Sequence, residues 1–259
     1  MMIEPMKVLW IYAHPESRSL NGSLRDAGIQ LLSASEHEYR ESDLYAMRWN
    51  PVVDAADFGH DPAERLDVLA ESERAYRAGE LAEDIRIEQE KIRWADTLVF
   101  QFPLWWFGPP AILKGWFDRI FVQGFAQGVI DPRTGRARRY GDGGLYGKRA
   151  MVVVTVGAND ASTGPRGIHG DLTEVLFPLL HGTLWYSGMD VVEPFIVTGT
   201  GSDLDYSSLA DRLTQRILSI PQSTPLPYRT QNSGDYDDHL VLKPNRAPGV
   251  TGLQAHYLA

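Results

Sequence analysis

Four short, mostly apolar runs restrict the folds available to this chain more than any other feature. They occupy residues 7–13, 97–102, 150–156 and 191–197. Runs of this length are typical of strands that are buried on both faces of a parallel sheet. A weaker candidate strand, YRESDLY, covers residues 39–45. The sequence therefore predicts a sheet of five strands.

Amphipathic helical patterns lie between the predicted strands. The first pattern follows Asn21, a predicted N-cap, and places Leu24, Ala27 and Leu31 on one face. The others cover residues 62–79, 81–96, 110–121, 171–182 and 205–220. Alternating strands and helices imply right-handed βαβ units, and hence an α/β fold with helices on both faces of the sheet. We expect the doubly wound, flavodoxin-like strand order 2-1-3-4-5.

A single domain accounts for most of the chain. Residues 1–220 contain every predicted strand and helix, and neither a linker nor a repeat divides them. Residues 128–147 are rich in glycine and arginine and are interpreted as an exposed, hairpin-like excursion before the fourth strand. We expect residues 221–259, which have several prolines and no clear period, to wrap the same domain as a tail.

The acidic composition narrows the range of functions. The formal net charge is −9 and the pI about 5.3, which argues against nucleic acid or an anionic membrane as a partner. The chain has no cysteine, which excludes disulfides and Cys-ligated metals, and no metal site is predicted. The run from Val8 to Ala13 is too short to span a bilayer, and no signal peptide is evident. We expect a cytoplasmic protein without a membrane span.

The first of three candidate loops, residues 13–24, leaves a strand and enters a helix. It supplies Ser19, Asn21 and backbone amides that a helix N-terminus leaves unpaired. Such amides bind phosphate readily, although an ordinary capped turn has the same composition. The position of this loop at the reversal of strand order favours a phosphate site.

The second loop is stiff and aromatic. Pro103 ends a strand, and Trp105, Trp106 and Phe107 precede Gly-Pro-Pro and a helix. Taken alone, such rings are more often core residues, but beside a phosphate loop they favour a flat, conjugated ligand.

The helix that follows has a wide apolar face, which fits either a core helix or a subunit interface, and we favour the interface. That face consists of Ile112, Leu113, Trp116, Phe117, Ile120 and Phe121.

The third loop, residues 156–172, is rich in glycine and contains His169. Glycine allows close approach of the backbone to a ligand. A lone histidine is more often structural, but in a loop that faces a flat ring it can donate a proton or stabilise an anion.

An arginine cluster before the fourth strand could bind a nucleotide phosphate, but we interpret it as a solvated loop. Its members are Arg133, Arg136, Arg138 and Arg139.

The sequence resembles the NAD(P)H:quinone oxidoreductases of the DT-diaphorase type. The match extends from about residue 7 to about residue 220 and is strongest in QFPL-x-WFG-x-PAILKGWF, with Trp105 at the variable position. Further matches are SDLYAM at 42–47, NP at 50–51 and GIHGD at 167–171. The long aromatic motif is far more specific than a short pattern.

The resemblance implies a flavoprotein that holds FAD across the reversal of strand order, with FMN as the alternative. It assigns the phosphate loop to His14, Ser19, Leu20 and Asn21. It assigns the contacts with the flavin ring to Pro103, Leu104, Trp106 and Phe107. The loop that would cover the polar edge of the ring consists of Thr155, Val156, Gly157 and Ala158.

The catalytic assignments also follow from the resemblance. His169, with Gly157 beside the ring, matches the histidine that assists hydride transfer. The tyrosine that acts with this histidine in the family is replaced by Thr163, whose hydroxyl is shorter and less acidic.

The implied substrate pocket lies at the interface of a homodimer. It combines Trp106 and Phe107 with Tyr186, which falls where the partner supplies an aromatic side chain. Gln127 and Val129 stand where the family has two tyrosines, so the acceptor site is altered. The resemblance implies two-electron, ping-pong hydride transfer from NAD(P)H through FAD to a quinone-like acceptor. The alternatives are reduction of azo or nitro compounds and a flavin-binding regulatory subunit of a membrane transporter.

Overall fold

The predicted apolar runs form the strands of one parallel sheet. The computed structural model describes residues 5–201 and 204–258. Its strands are β1 (Lys7–Tyr12), β2 (Glu38–Asp43), β3 (Thr97–Pro103), β4 (Arg149–Thr155), β5 (Asp190–Val191) and β6 (Phe195–Val197). They pair in the order β2-β1-β3-β4-β5, and β6 also pairs with β4. The predicted flavodoxin-like order 2-1-3-4-5 is therefore confirmed.

The edge of the sheet beyond β4 differs from the prediction of one continuous strand over 191–197. β5 pairs with the start of β4, at Arg149 and Ala150, and β6 pairs with its end. Glu193 and Pro194 lie between the two pieces, outside the ladder. Proline has no N–H to donate to a neighbouring strand, so the run is divided at this point.

Helices cover both faces of the sheet. They are α1 (Leu20–Ser33), α2 (Val68–Ala78), α3 (Glu83–Trp94), α4 (Ala111–Ile120), α5 (Leu172–Val175), α6 (Phe177–Leu179) and α7 (Tyr206–Ser219), and a π-helix, Leu180–Trp185, continues α6. α2 begins later than predicted because Asp67 caps it, accepting from the backbone N–H of Ala70. Among the helices of the described residues, none combines the length and the apolar character that a bilayer span requires.

Alternation along the central strand β1 separates two hydrophobic layers. Trp10 is fully buried with Leu24 of α1 and Leu213 of α7 on one face. Ile11 is fully buried in the other layer, together with Trp116 of α4. Successive side chains of a strand point to opposite faces, so a strand with both faces covered is apolar throughout.

The excursion over residues 128–147 contains a small hairpin. Asp131 N–H donates to the carbonyl of Arg136 at 2.9 Å, and Arg138 N–H donates to the carbonyl of Val129 at 2.8 Å. Arg133 pairs with Asp131 at 3.2 Å, and Arg136 pairs with Asp238 of the tail at 3.1 Å. These arginines are thus partly neutralised by nearby carboxylates.

The tail beyond residue 220 packs onto the sheet and onto the excursion. Leu226 N–H donates to the carbonyl of Val191 at 2.7 Å, and Tyr228 is buried in the same layer as Trp116. Arg229 is buried and paired with Asp235 at 2.6 Å. The division of the chain at residue 220 stays a prediction.

Candidate functional site

Three loops meet at the carboxyl edge of the sheet because β1, β3 and β4 are parallel and end side by side. Two backbone hydrogen bonds join the loops where they leave the strands. Ala13 N–H donates to the carbonyl of Gln101 at 2.9 Å, and Leu104 N–H donates to the carbonyl of Thr155 at 2.9 Å. The carboxyl edge of a doubly wound sheet, at the reversal of strand order, is where such folds bind ligands.

The aromatic loop is a tight turn with both central residues in the left-handed region. Trp105 and Gly108 exchange two backbone hydrogen bonds, at 3.0 and 3.1 Å. Between them, Trp106 has φ 50° and Phe107 has φ 61°. This conformation costs a residue with a side chain about 1–2 kcal/mol, and Trp106 is nevertheless 97% exposed. Strain combined with exposed aromatic surface indicates a contact with a ligand or another molecule outside the chain.

A pocket of about 220 Å³ separates the aromatic turn from the third loop. Its lining consists of Leu104, Trp106, Phe107, Val156, Gly157, Ala158, Thr163, His169 and Leu172. All of these except Leu172 are residues predicted from the sequence. Leu172 is the last residue of the predicted third loop and begins α5.

His169 reaches the pocket from an exposed position on the third loop. Its ring centroid lies 6.0 Å from that of Phe107, at an interplanar angle of 49°. Its backbone N–H donates to the carbonyl of Ser162 at 3.0 Å. The loop is tight at this point: a Cβ on Gly167 would lie 2.3 Å from the Ser162 carbonyl, so only glycine fits.

Thr163 lines the same pocket but its hydroxyl is already engaged. The side chain is buried, and Oγ1 lies 3.1 Å from the carbonyl of Asn159 and 3.3 Å from that of Asp160. A threonine hydroxyl has one proton to donate. The backbone of its own turn accepts the hydrogen bond from that proton. Thr163 therefore does not offer a proton to the pocket as the phenol of a tyrosine would.

The first loop presents the N-terminus of α1, although its cap differs from the prediction. The N-cap is Ser19 and not Asn21: Ser19 Oγ accepts from the backbone N–H of Gly22 at 3.1 Å. Within the described residues, the backbone N–H groups of Leu20 and Asn21 have no hydrogen-bond partner. His14 Nδ1 accepts from the backbone N–H of Glu16 at 3.1 Å and so shapes the loop before the helix.

The charges of this loop cancel each other. Arg18 Nε lies 3.0 Å from Glu16 Oε1. Hydrogen bonds from Arg18 lower the pKa of the exposed Glu16 carboxyl to about 2, so Glu16 is an anion at neutral pH. Because Arg18 neutralises that anion, the loop does not repel a phosphate.

Three predicted pocket residues lie elsewhere in the chain. Gln127 and Tyr186 line a groove of about 460 Å³ beside α4, which shares no lining residue with the pocket. Val129 lies at the base of the hairpin. The groove is also lined by Phe117 of α4 and by Phe121, which caps the end of that helix. Within the chain, these residues therefore do not meet Trp106 and Phe107.

Sequence reasoning missed a buried polar connection beneath the three loops. Gln101 is fully buried in β3, where it bonds Trp10 and the backbone of Asn21. The signal was present as a glutamine within an otherwise apolar run. Among the described residues, no group of three or more His, Asp or Glu side chains is arranged to hold a metal ion.

The fold and the site together define a class of protein. Residues 6–217 match the model of the flavodoxin-like fold family. The chain belongs to the flavodoxin-like family.

Individual relatives and one solved structure indicate which proteins of this family the chain is similar to. The chain is 45% identical to a ribosyldihydronicotinamide dehydrogenase-like protein of Penicillium crustosum, over 89% of this chain and 87% of that one. It is 40% identical to NAD(P)H dehydrogenase [quinone] 1 of Cavia porcellus, over 85% and 79%. A crystal structure of a candidate quinone reductase from Klebsiella pneumoniae superposes with a TM-score of 0.93 at 45% identity, covering 98% of this chain and all of that one. The predicted relationship and the prediction of an oxidoreductase enzyme are confirmed.

Proposed function

We propose that this protein is a flavin-dependent NAD(P)H:quinone oxidoreductase that uses FAD. The observation that carries the proposal is the pocket in which Trp106, Phe107 and His169 meet the loop that follows β4. The relatives at 40 and 45% identity, whose names describe nicotinamide-dependent dehydrogenases, support the same reaction class.

The residues at the sheet edge fit a flavin. The aromatic turn offers two exposed rings to a flat ligand. The backbone N–H groups of Gly157 and Ala158, which line the pocket, have no partner within the described residues and would be free to donate to the polar edge of a flavin ring. The free amides at the start of α1 suit a phosphate. Asn21 Oδ1, buried without a partner among the described residues, suits a hydroxyl of a ligand chain.

A bound flavin would supply the redox chemistry, accepting a hydride from NAD(P)H and passing a hydride to the acceptor. The residues of the pocket would position the reactants and stabilise charge. Trp106 and Phe107 would fix the plane of the ring and exclude water from one side. Gly157 N–H would donate to negative charge on the polar edge. His169 would offset negative charge at the polar edge of the ring during flavin reduction, or donate a proton from its imidazole to an oxygen of the acceptor.

We propose that the active enzyme is a homodimer. The groove beside α4 holds partly exposed Phe121 and Tyr186, together with Gln127. A second copy that covers this groove would bring Gln127, Val129 and Tyr186 to the pocket of its partner. The partner surface would also cover the part of Trp106 that a bound flavin leaves exposed.

The decisive experiment is chromatographic identification of the flavin released from purified protein. The proposal expects FAD in near-stoichiometric amount. FMN would correct the cofactor and keep the reaction class. A colourless protein that binds neither FAD nor FMN on incubation would overturn the proposal.

A panel of donors and acceptors tests the substrate assignment. The donors are NADH, NADPH and N-ribosyldihydronicotinamide, because relatives named for the last compound are as similar as those named for NAD(P)H. A quinone is compared with an azo and a nitro compound. We expect parallel lines in double-reciprocal plots with the quinone. Flavin binding with no turnover would favour a regulatory subunit instead. The cytoplasmic location stays a prediction.

A further inference from the structure

A chain of buried side-chain hydrogen bonds runs beneath the candidate site. Trp10 Nε1 donates to Gln101 Oε1 at 2.9 Å, and Gln101 Nε2 donates to the backbone carbonyl of Asn21 at 2.7 Å. Asn21 Nδ2 then donates to Thr155 Oγ1 at 2.6 Å. This series of hydrogen bonds runs from β1 through β3 to the first turn of α1 and on to the end of β4.

Each member of this chain is held out of water. Trp10 and Gln101 are fully buried, Asn21 is 3% exposed and Thr155 is 6% exposed. In such surroundings a broken hydrogen bond is not replaced by a bond to solvent. The spacing between α1 and the two strands is therefore fixed by these bonds as well as by apolar packing.

The direction of the Gln101 amide is set by chemistry. An indole N–H can only donate, so Trp10 must face the amide oxygen of Gln101. The amide nitrogen is then turned towards the carbonyl of Asn21, which can only accept. Gln101 thus holds the backbone of Asn21, the second residue of α1. Asn21 and Leu20 carry the backbone N–H groups that lack partners.

We propose that Gln101 is a positioning residue for phosphate recognition: it holds the N-terminus of α1 where its free amides meet the flavin phosphate. The inference rests on the proposed function. Gln101 lies below the strand end and is buried, so it acts on the ligand through the backbone of Asn21. A helix N-terminus binds an anion through the aim of its amides, which a small shift of the helix would spoil.

A buried glutamine that only supports the fold would behave differently. Gln89 offers the comparison within the same chain: it is 1% exposed, and Nε2 donates to the carbonyl of Ile120 at 3.1 Å. It connects α3 to the end of α4 and does not touch the first loop. Gln101→Met and Gln89→Met each remove a buried amide while keeping a side chain of similar length.

The experiment measures the dissociation constants of riboflavin and FMN for the flavin-free wild-type chain and both variants. The dissociation constant of riboflavin divided by that of FMN isolates the contribution of the phosphate. We expect Gln101→Met to reduce this ratio by at least about tenfold, which corresponds to about 1.4 kcal/mol. Gln89→Met is expected to keep the wild-type ratio, even if both variants unfold more readily in urea.

Amide hydrogen exchange adds a readout that does not use a ligand. In the flavin-free chain, Gln101→Met is expected to speed exchange in the first turn of α1 relative to its last turn. If Gln101→Met does not fold, Gln101→Asn replaces it, because the shortened amide no longer spans Trp10 and Asn21. It is expected to show the same selective loss for FMN.

The outcomes separate this inference from the proposed function. An unchanged ratio in the folded Gln101 variant would overturn it, as would an equal fall of the ratio in Gln89→Met. A wild-type chain that binds FMN no more tightly than riboflavin would also overturn it, while leaving flavin binding intact. A wild-type chain that binds no flavin would overturn the proposed function itself.

Discussion

At the scale of single residues, His169 is distinguished by what surrounds it. Among the described residues that line the pocket, it alone carries an ionisable side chain. Thr163, its counterpart in the altered pair, has its hydroxyl bonded to backbone carbonyls. Any proton that a pocket side chain supplies to the acceptor would therefore come from His169.

Removing this imidazole tests its role. We expect His169→Ala to lower the rate of flavin reduction by NAD(P)H by at least about tenfold, some 1.4 kcal/mol, because the imidazole would no longer stabilise negative charge at the polar edge of the ring. Stopped-flow absorbance at the flavin band measures the rate. The control is His239→Ala, which removes an exposed histidine of the tail. Reduction of the His169 variant at the wild-type rate would refute the catalytic assignment.

A second histidine, His181, couples stability to pH. It stacks on Phe177 at 4.5 Å and meets Tyr228 edge-on at 4.9 Å. Burial, with a smaller effect of His256, lowers the pKa of His181 from 6.5 to about 4. Between these values the unfolded chain binds a proton that the folded chain does not. Stability from this group is therefore complete above pH 6.5 and is lost as the pH falls towards 4.

We expect the free energy of unfolding to fall by about 1–2 kcal/mol from pH 7.5 to pH 5 because of His181, after allowing for partial exposure of its ring. His181→Phe keeps the stack and should remove most of this fall. Urea denaturation at both pH values measures it, with His239→Phe as the control. A variant whose pH dependence matches the wild type would exclude His181 as the cause.

At the scale of secondary-structure elements, the turn over residues 105–108 combines strain with exposure. Trp106 is held at φ 50° yet is 97% exposed. Asparagine tolerates the left-handed region better than tryptophan does. The tryptophan therefore costs stability, which a role in ligand or partner contact would explain.

We expect Trp106→Asn to raise the free energy of unfolding of the flavin-free protein by about 1 kcal/mol. The same variant should bind flavin more weakly, because it loses a ring of the pocket. Urea denaturation and fluorescence titration measure the two effects. Tyr146→Asn is the control: Tyr146 is 73% exposed and its φ is not positive. Loss of stability in Trp106→Asn would contradict the strain argument.

At the scale of the whole molecule, the proposed homodimer would complete the pocket through the groove beside α4. Thr183 lies in this groove and is partly exposed. We expect Thr183→Arg to block the approach of a second copy and to shift the sedimentation mass from twice 29.0 kDa to one chain.

The control for the dimer is Ser207→Arg, which places the same charge on exposed surface at the start of α7. This variant should remain a dimer. The monomeric Thr183 variant should also lose turnover with a quinone, because the partner residues would be missing from the pocket. A wild-type chain that sediments as a monomer and is fully active would contradict the homodimer.

Much of the site could be read from the chain because its signals are local. The apolar runs, Pro103 and the glycines of the third loop each act within a few residues, so strand ends and loop positions followed from them. Parallel strands bring such loops to one edge whatever the details of packing. The pocket lining of Trp106, Phe107 and His169 was predicted for this reason.

Tertiary structure decided the features that depend on partners distant in the chain. Gln101 meets Asn21 across 80 positions of sequence, and no local pattern reports which buried amide will cap which carbonyl. Ser19 rather than Asn21 caps α1, and the Asn21 side chain instead donates to the hydroxyl of Thr155. The separation of Gln127 and Tyr186 from the pocket likewise depends on where α4 packs. Periodicity records which faces of an element are buried, whereas the choice of contact on that face is made only when the elements pack together.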